Sequence, residues 1–182
     1  KYDGLQGNTS NYEASNIYFD TQKKWDIGKD TLIVGATAKH ENYNQFYEDK
    51  FDNSRNSYGI YASYTKNYND KFSSTLGVRG QYYGSTDFDQ SYTEVLPQLQ
   101  TLYKINETTS WYTNVGEAFE LPAINAHTSS GGAALEYLSQ YPVKPQTGWN
   151  YETGIKKITD TTATKLAVFH MDYKNKFAWK HF

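Results

Sequence analysis

The feature of this sequence that most constrains its fold is an alternation of side-chain character with a period of two residues. Within residues 72–83, one set of alternate positions reads Phe72, Ser74, Leu76, Val78, Gly80 and Tyr82. The positions between them are small or polar and include Thr75, Arg79 and Gln81. Because successive side chains of a β-strand point to opposite faces of a sheet, this period predicts a strand with one apolar and one polar face.

The same alternation recurs along the chain. Its apolar positions are Leu32/Val34/Ala36/Ala38, Tyr58/Ile60/Ala62/Tyr64, Val95/Pro97/Leu99/Tyr103, Trp149/Tyr151/Thr153/Ile155 and Ala167/Phe169/Met171/Tyr173. Residues 11–23 and 110–118 also read as strands, although their faces are less distinct. The sequence therefore predicts about eight strands. Because Pro97 has no N–H group, we expect a local irregularity in its strand.

The aromatic content indicates where these strands lie. The chain has 18 Tyr, 9 Phe and 4 Trp, yet its mean hydropathy is −0.82. Tyr and Trp suit a membrane interface, where the apolar ring is covered and the polar tip is wet. No stretch approaches the roughly 20 apolar residues of a membrane helix. A membrane location therefore requires a closed β-barrel, with lipid against the apolar faces and aromatic rings at both rims.

The predicted connections differ in length. Four are short and rich in turn-forming residues, at 26–30, 67–70, 106–109 and 159–162. Three are longer, at 41–56, 84–92 and 119–146. Short turns at one end and long loops at the other are typical of bacterial outer-membrane barrels. The alternative, a soluble β-sandwich or barrel, predicts polar outer faces, which Leu76 and Val78 do not fit.

Charge and composition exclude several functional classes. The net charge is −2 with no basic stripe, so we expect no nucleic-acid partner. There is no Cys, which removes disulfides and thiolate chemistry. HExxH, phosphate-loop and GxSxG motifs are absent, so we predict no enzyme activity, no cofactor and no metal site. The acidic pairs Glu48–Asp49 and Asp87–Asp89 are interpreted as solvated loop tips.

A series of motifs between residues 94 and 174 is similar to the middle of the barrel in TonB-dependent outer-membrane receptors. It runs Glu-Val-Leu-Pro-Gln-Leu (94–99), Ser-Trp-Tyr-Thr-Asn-Val (110–115), Gly-Glu-Ala-Phe-Glu-Leu-Pro (116–122), Val-Lys-Pro-Gln (143–146), Tyr-Glu-Thr-Gly-Ile-Lys (151–156) and Leu-Ala-Val-Phe-His-Met-Asp-Tyr-Lys (166–174). The order and spacing carry the resemblance. Two positions depart from it, because Glu120 and Gln146 stand where the family has Arg and Glu.

The resemblance implies an all-β, antiparallel transmembrane β-barrel of about 22 strands, of which this chain supplies about eight. It implies a bacterial outer-membrane location and active import of an iron-siderophore complex, haem or a similar large nutrient. The TonB complex would act through a plug domain. We expect residues 1–182 to be a barrel segment without that plug, and residues 119–147 to form a long extracellular loop.

The resemblance also suggests ligand-binding residues. Haem receptors of the family place a haem-ligating His in the loop that here contains His127, and a neutral imidazole is a good axial ligand for haem iron. Aromatic residues of the predicted long loops are candidates to stack on a ligand; they are Tyr43, Phe46, Tyr47, Tyr137 and Tyr141. Packing of one loop on another is the alternative role for these rings.

A second group of residues is predicted to face the barrel interior with a structural role. These residues are Arg79, Glu94, Gln98, Glu152 and Lys156. In a full receptor they would face the plug, whereas in a small barrel they would pair with one another. That small barrel is the alternative for the whole chain: a complete eight-stranded outer-membrane protein ending at the aromatic Phe182, acting as an adhesin, an anchor or a narrow channel.

Overall fold

A computed structural model describes residues 11–46, 50–85, 91–121 and 145–176, and these form one antiparallel sheet. Its strands are β1 (Asn11–Ile27), β2 (Asp30–Phe46), β3 (Lys50–Asn67), β4 (Phe72–Ser85), β5 (Ser91–Lys104), β6 (Thr109–Glu120), β7 (Gln146–Ile158) and β8 (Ala163–Lys174). Each strand pairs with its neighbours in sequence. The predicted all-β class and the strand count are confirmed. In these ranges, no helix is long and apolar enough to cross a membrane.

The four short connections are tight turns, as predicted. Ile27 pairs with Asp30, so Gly28 and Lys29 form a two-residue loop, and Gly28 has a φ of +64°. A positive φ at the first of two turn residues is the hairpin geometry that favours Gly there. In the β3–β4 turn, the Asn69 side chain accepts hydrogen bonds from the N–H groups of Lys71 and Phe72, each at 2.9 Å.

The remaining two turns are closed in the same way by local side chains. Asn106 Oδ1 accepts from the N–H of Thr109 at 2.8 Å, and Thr159 Oγ1 accepts from the N–H of Thr162 at 3.1 Å. Asn and Thr side chains suit this role because they replace the backbone acceptor of a turn.

The flanking strands extend into all three predicted long loops. β2 and β3 remain paired up to Phe46 and Lys50, so the prediction of a loop at 41–56 was wrong. β4 and β5 likewise extend to Ser85 and Ser91. Backbone N–H and C=O groups still need partners in these polar stretches, and the continued ladder supplies them. The β2–β3 hairpin runs about 26 Å beyond Tyr58, at about 3.3 Å per residue.

The register sorts the side chains into two faces. The apolar face contains Leu32, Val34, Tyr58, Ile60, Tyr64, Leu76, Val78, Tyr82, Val95, Leu99, Tyr103, Trp111, Ile155, Leu166 and Val168. Ile60 and Leu76 are 70% and 63% exposed, and no hydrophobic side chain of the described ranges is buried. A continuous exposed apolar surface of this kind requires apolar surroundings rather than water.

The opposite surface, here called the polar face, holds Thr37, Arg79, Gln81 and their alternate neighbours. β8 corrects one expectation. Phe169 pairs with Glu152, which places Phe169, Met171 and Tyr173 on the polar face. Both alternate sets of β8 contain hydrophobic residues, so its sequence does not show which set lies outside; the pairing with β7 decides it.

The expected irregularity at Pro97 is present. The β5–β6 ladder ends at the pair Gln98 and Gly116, one residue short of Pro97, whereas β6 continues to pair with β7. A proline has no N–H to donate to a neighbouring strand. Beyond the break, the ring of Phe119 stacks on Tyr83 of β4, with centroids 4.8 Å apart. The end of β6 therefore reaches over the polar face.

The sheet is open in the part of the chain that the structure describes. β1 and β8 are its two edges and are not paired with each other. A closed eight-stranded barrel needs that pairing, so the alternative of a small self-contained barrel does not match this arrangement.

We predict that Gly28→Ala will destabilise the folded protein by about 1 kcal/mol, because an L-residue is strained at a positive φ. A Cβ at Gly28 would meet no atom within 4 Å, so a loss would report the backbone strain alone. The measurement is the urea midpoint of the refolded protein.

Gly80→Ala is the matched control for this turn substitution. A Cβ at Gly80 would lie 3.7 Å from Ile60, an ordinary contact, and we expect no loss of stability. Equal midpoints for both variants would contradict the strained-turn interpretation.

Candidate functional site

The polar face carries a pocket of about 220 Å³ at the end of the strands away from the four short turns. We call it the Arg79 pocket. It is lined by Tyr18, Thr37, Lys39, Glu41, Arg55, Ser57, Arg79, Gln81, Tyr83, Phe119 and Leu121. Five strands therefore contribute to it, because alternate residues of adjacent strands share this face and β6 bends over it.

Two of its three cations are held by one carboxylate. Arg55 Nε and Nη2 donate to Glu41 Oε2 at 3.0 and 2.9 Å, and Lys39 Nζ lies 2.8 Å from Glu41 Oε1. The side chains of Arg55 and Glu41 are 16% and 19% exposed. This geometry fixes Lys39 and Arg55 in place on β2 and β3, and the Glu41 carboxylate neutralises one of their two positive charges.

Arg79 is positioned differently, by neutral groups. Its Nε donates to Gln81 Oε1 and its Nη2 to Thr37 Oγ1, both at 2.7 Å, while its guanidinium lies 5.7 Å from the Tyr61 ring centroid. Gly59 leaves the necessary space, since a Cβ there would lie 2.6 Å from Nη2. Across the described ranges, Arg79 has no carboxylate within ion-pair distance.

The rest of the Arg79 pocket is lined by aromatic rings and by a hydroxyl group that has no hydrogen-bond partner among the described residues. Tyr83 and Phe119 form a stacked pair over one side of the pocket. Ser57 is only 5% exposed, and its Oγ has no hydrogen-bond partner among the residues described. A buried hydroxyl without a partner carries a free-energy cost, and this oxygen is shielded from the pocket unless neighbouring side chains move.

A second pocket of about 410 Å³ lies on the same face nearer the short turns. We call it the Tyr112 pocket. The Tyr112 hydroxyl donates to Glu152, and Lys165 Nζ lies 2.7 Å from the same carboxylate. Lys156 and Lys165 each lie 5.1 Å from the Tyr112 ring centroid. The arrangement is a compact ion-pair and cation–π cluster of two lysines, one carboxylate and one phenol ring.

The structure places the predicted interior residues on the polar face. Arg79 lines the first pocket, Glu152 and Lys156 line the second, and Glu94 pairs with Gln81 of β4. Gln98 Nε2 donates to Asn114 Oδ1 at 3.2 Å. These positions follow from the register. The structural role predicted for these five residues stays a prediction.

Only two of the six predicted ligand-binding residues lie in the part of the chain that the structure describes. Tyr43 and Phe46 belong to β2, not to a loop. His127, Tyr47, Tyr137 and Tyr141 lie outside the described residues. Within the described ranges, no group of three or more His, Asp or Glu residues could hold a metal ion.

Sequence reasoning missed Lys39, Glu41, Arg55 and Ser57. A signal was available, because Arg55, Ser57 and Tyr61 continue the alternate positions of β3. Assigning 41–56 to a loop removed Glu41 and Arg55 from the alternation and ended it beside Lys39 and Ser57, so these side chains were not placed on the face of Arg79.

Comparison with known proteins identifies the family of this architecture. Residues 2–180 match the family described as TonB dependent receptor-like, beta-barrel. No curated protein matches the chain in sequence.

Solved structures show the same fold. The siderophore receptor PirA from Pseudomonas aeruginosa aligns with a TM-score of 0.72 and 17% identity, over 92% of this chain and 34% of that one. The ferripyoverdine receptor of the outer membrane of Pseudomonas aeruginosa gives 0.68 and 20%, over 92% and 26%. The copper transporter OprC gives 0.70 and 13%, over 88% and 30%. The chain thus spans about a quarter to a third of these proteins.

We predict that Val78→Arg will destabilise the protein in lipid by about 2–4 kcal/mol, because it places a cation in the middle of the apolar face. Thr75→Arg, in the same strand but on the polar face, is the control and should cost much less. Urea unfolding in phospholipid vesicles measures both. A larger loss for Thr75→Arg would reverse the assignment of the two faces.

Proposed function

The chain belongs to the β-barrel family of TonB-dependent receptors, which lie in the outer membrane of Gram-negative bacteria, and we propose that it forms part of a receptor importing an iron-siderophore complex. The observation that carries this proposal is the Arg79 pocket. It combines cations, hydroxyls and stacked rings on the face opposite the lipid-facing side chains. Ferric siderophores present oxygen atoms and often aromatic rings, which such a surface can bind.

The sheet edges support membership in a larger barrel. The free edges of β1 and β8 expose backbone groups, which must be paired where a sheet crosses lipid. We infer that further strands pair with both edges to close a barrel of about 22 strands. A plug domain would then fill the polar interior, and the TonB complex would pull on that plug with energy from the inner-membrane proton gradient.

We also infer which segments meet the ligand first. The β2–β3 hairpin extends beyond the apolar face and its described residues include Tyr43 and Phe46; Tyr47 follows directly in the sequence. The connection 121–145 joins β6 to β7 at the same end of the sheet and contains His127, Tyr137 and Tyr141. The strand ends that flank both segments lie on the side of the Arg79 pocket, so we infer that a ligand captured there would next reach that pocket. A long extracellular loop is part of this proposal; of its predicted range 119–147, residues 119–120 and 146–147 belong to β6 and β7, which leaves the connection 121–145.

The test is uptake of radiolabelled iron by cells that carry the full-length receptor or lack it. Ferric tris-catecholate, ferric tris-hydroxamate, ferric citrate and haem are supplied separately, each with and without a protonophore. We expect receptor-dependent uptake of at least one ferric siderophore, and we expect the protonophore to abolish it. Uptake that is the same in both strains for every compound would overturn the proposal.

Haem is the alternative ligand, and substitution of His127 distinguishes haem binding from siderophore binding. If haem is bound through this residue, His127→Ala will shift the haem absorption spectrum and weaken haem binding. We expect no haem-specific spectrum from the wild-type receptor and unchanged siderophore uptake by His127→Ala. If the wild type gives a haem spectrum and His127→Ala alters it, the imported ligand is haem and not a siderophore. His170 on the apolar face is the matched histidine control.

A further inference from the structure

We propose that a surface at the short-turn end of the apolar face binds the phosphate groups of anionic phospholipids in the periplasmic leaflet of the outer membrane. We call this surface the lysine–aromatic rim, and it consists of Lys23, Trp25, Lys66 and Tyr68. It lies on the side of the sheet that faces lipid. The inference therefore goes beyond the proposed import function and does not depend on which compound is imported.

Two lysines lie among the residues that face lipid. Lys23 of β1 pairs with Val34, and Lys66 of β3 follows Tyr64 by two positions, so both lysines share the face of these residues. Among the described residues, neither lysine has a carboxylate within ion-pair distance. A charged group in hydrocarbon carries a large free-energy cost, so each ammonium group needs a polar environment at the edge of the apolar face.

Both lysine side chains point towards the short turns. Lys23 Nζ lies 5.2 Å from the centroid of the Trp25 ring, and Lys66 Nζ lies 5.8 Å from that of the Tyr68 ring. In each pair the ring belongs to the residue two positions nearer the turn. A lysine at a membrane boundary extends its stem over apolar surface and places its ammonium group among the lipid headgroups. Trp and Tyr rings favour the same depth, so both pairs mark the level of the headgroups.

The two aromatic side chains keep hydrogen-bond donors that the protein does not use in the part of the chain described. Trp25 Nε1 has no acceptor there, whereas Trp111 Nε1 donates to Thr153 Oγ1 at 2.8 Å. The Tyr68 hydroxyl accepts from Ser74 Oγ at 3.2 Å, which leaves its own proton for another acceptor. Trp25 and Tyr68 are 39% and 47% exposed. With two ammonium groups, these donors form a set that suits phosphate oxygens.

The charge at this end of the sheet is positive. Residues 23–32 and 64–76 form the short-turn end of β1–β4 and contain five lysines and three aspartates. Asp26 forms an ion pair with Lys24, and Asp30 already accepts hydrogen bonds from a tyrosine hydroxyl and a backbone N–H. The excess of two positive charges attracts a negatively charged membrane surface.

The position of the rim selects the lipid. Short turns of outer-membrane barrels face the periplasm, where the leaflet consists of glycerophospholipids, whereas lipopolysaccharide occupies the opposite leaflet. Lys23 is level with Ala62 of β3 through Val34, so Lys66 lies two strands away and four residues nearer the turn. These steps separate the two Cα atoms by roughly 16 Å. The rim therefore contacts neighbouring headgroups rather than a single one.

The experiment is native mass spectrometry of the full-length receptor in detergent with equimolar phosphatidylglycerol, which is anionic, and phosphatidylethanolamine, which is zwitterionic. We expect the wild type to retain more phosphatidylglycerol than phosphatidylethanolamine. The double variant Lys23→Gln/Lys66→Gln should lower the ratio of the two bound lipids by at least about fivefold, because one lysine near an anionic surface contributes about that factor.

The matched control is Lys24→Gln/Lys104→Gln. It removes two positive charges near the short turns, but from the polar face, because Lys24 adjoins Lys23 and Lys104 adjoins Tyr103 of the apolar face. We expect the lipid ratio of the wild type. The charge-retaining variant Lys23→Arg/Lys66→Arg should also keep that ratio.

Trp25→Phe is a second test in which both lysines and an aromatic ring remain. It removes only the indole N–H, so we expect an unchanged urea midpoint in phosphatidylcholine vesicles and a lipid ratio about twofold lower. This variant keeps the proposal testable if the Gln double variant does not fold.

Selective loss of phosphatidylglycerol in the Gln double variant and in Trp25→Phe, with retention in the Arg and polar-face variants, supports the rim. An equal fall in the polar-face control overturns it, because a general charge effect would then explain the preference. Absence of any lipid preference in the wild type, or an equal fall in the Arg variant, also overturns it. In a separate mixture with lipid A, a wild-type preference for lipid A over phosphatidylglycerol would place the rim in the other leaflet and overturn the proposal.

Discussion

The antiparallel backbone ladder is the interaction on which this structure depends. No hydrophobic side chain in the described ranges is buried, so the sheet has no internal apolar core to hold it together. Its strands are joined by hydrogen bonds between neighbours, and its apolar side chains gain free energy only from surroundings outside the protein. The ladder is therefore the scaffold, and lipid takes the place of a core.

This arrangement explains how one sheet serves two environments. Each strand gives alternate residues to each face, so a face that meets lipid requires the other to collect the polar side chains. Glycine at positions such as Gly59 then makes room for a large group like the Arg79 guanidinium. The Arg79 and Tyr112 pockets both follow from the membrane fold, because the polar face is the favourable place for charges at the depth of the apolar residues. Lys23, which pairs with Val34 on the edge strand β1, is an exception.

The break beside Pro97 shows how a single residue shapes the site. Because β5 and β6 separate there, the end of β6 can bend, and Phe119 reaches Tyr83 across β5. These rings lie on strands two apart, β4 and β6, so without the bend they would not meet and the pocket would lack its aromatic wall. The sequence predicted an irregularity at Pro97, because proline cannot donate a hydrogen bond, but it did not indicate which way the strand would bend.

The sequence by itself determined the all-β class, the eight strands, the short turns and the outward positions of residues such as Leu76, since these depend on local alternation and turn chemistry. It also carried enough motif order to indicate the family. Tertiary structure alone decided the ends of the hairpins, the face of Phe169 and the meeting of Arg79 with Thr37, Ser57 and Phe119. Those features depend on register between strands distant in sequence, and on a bend whose direction is set by packing. The periodic pattern within one strand specifies neither the register with distant strands nor the direction of a bend.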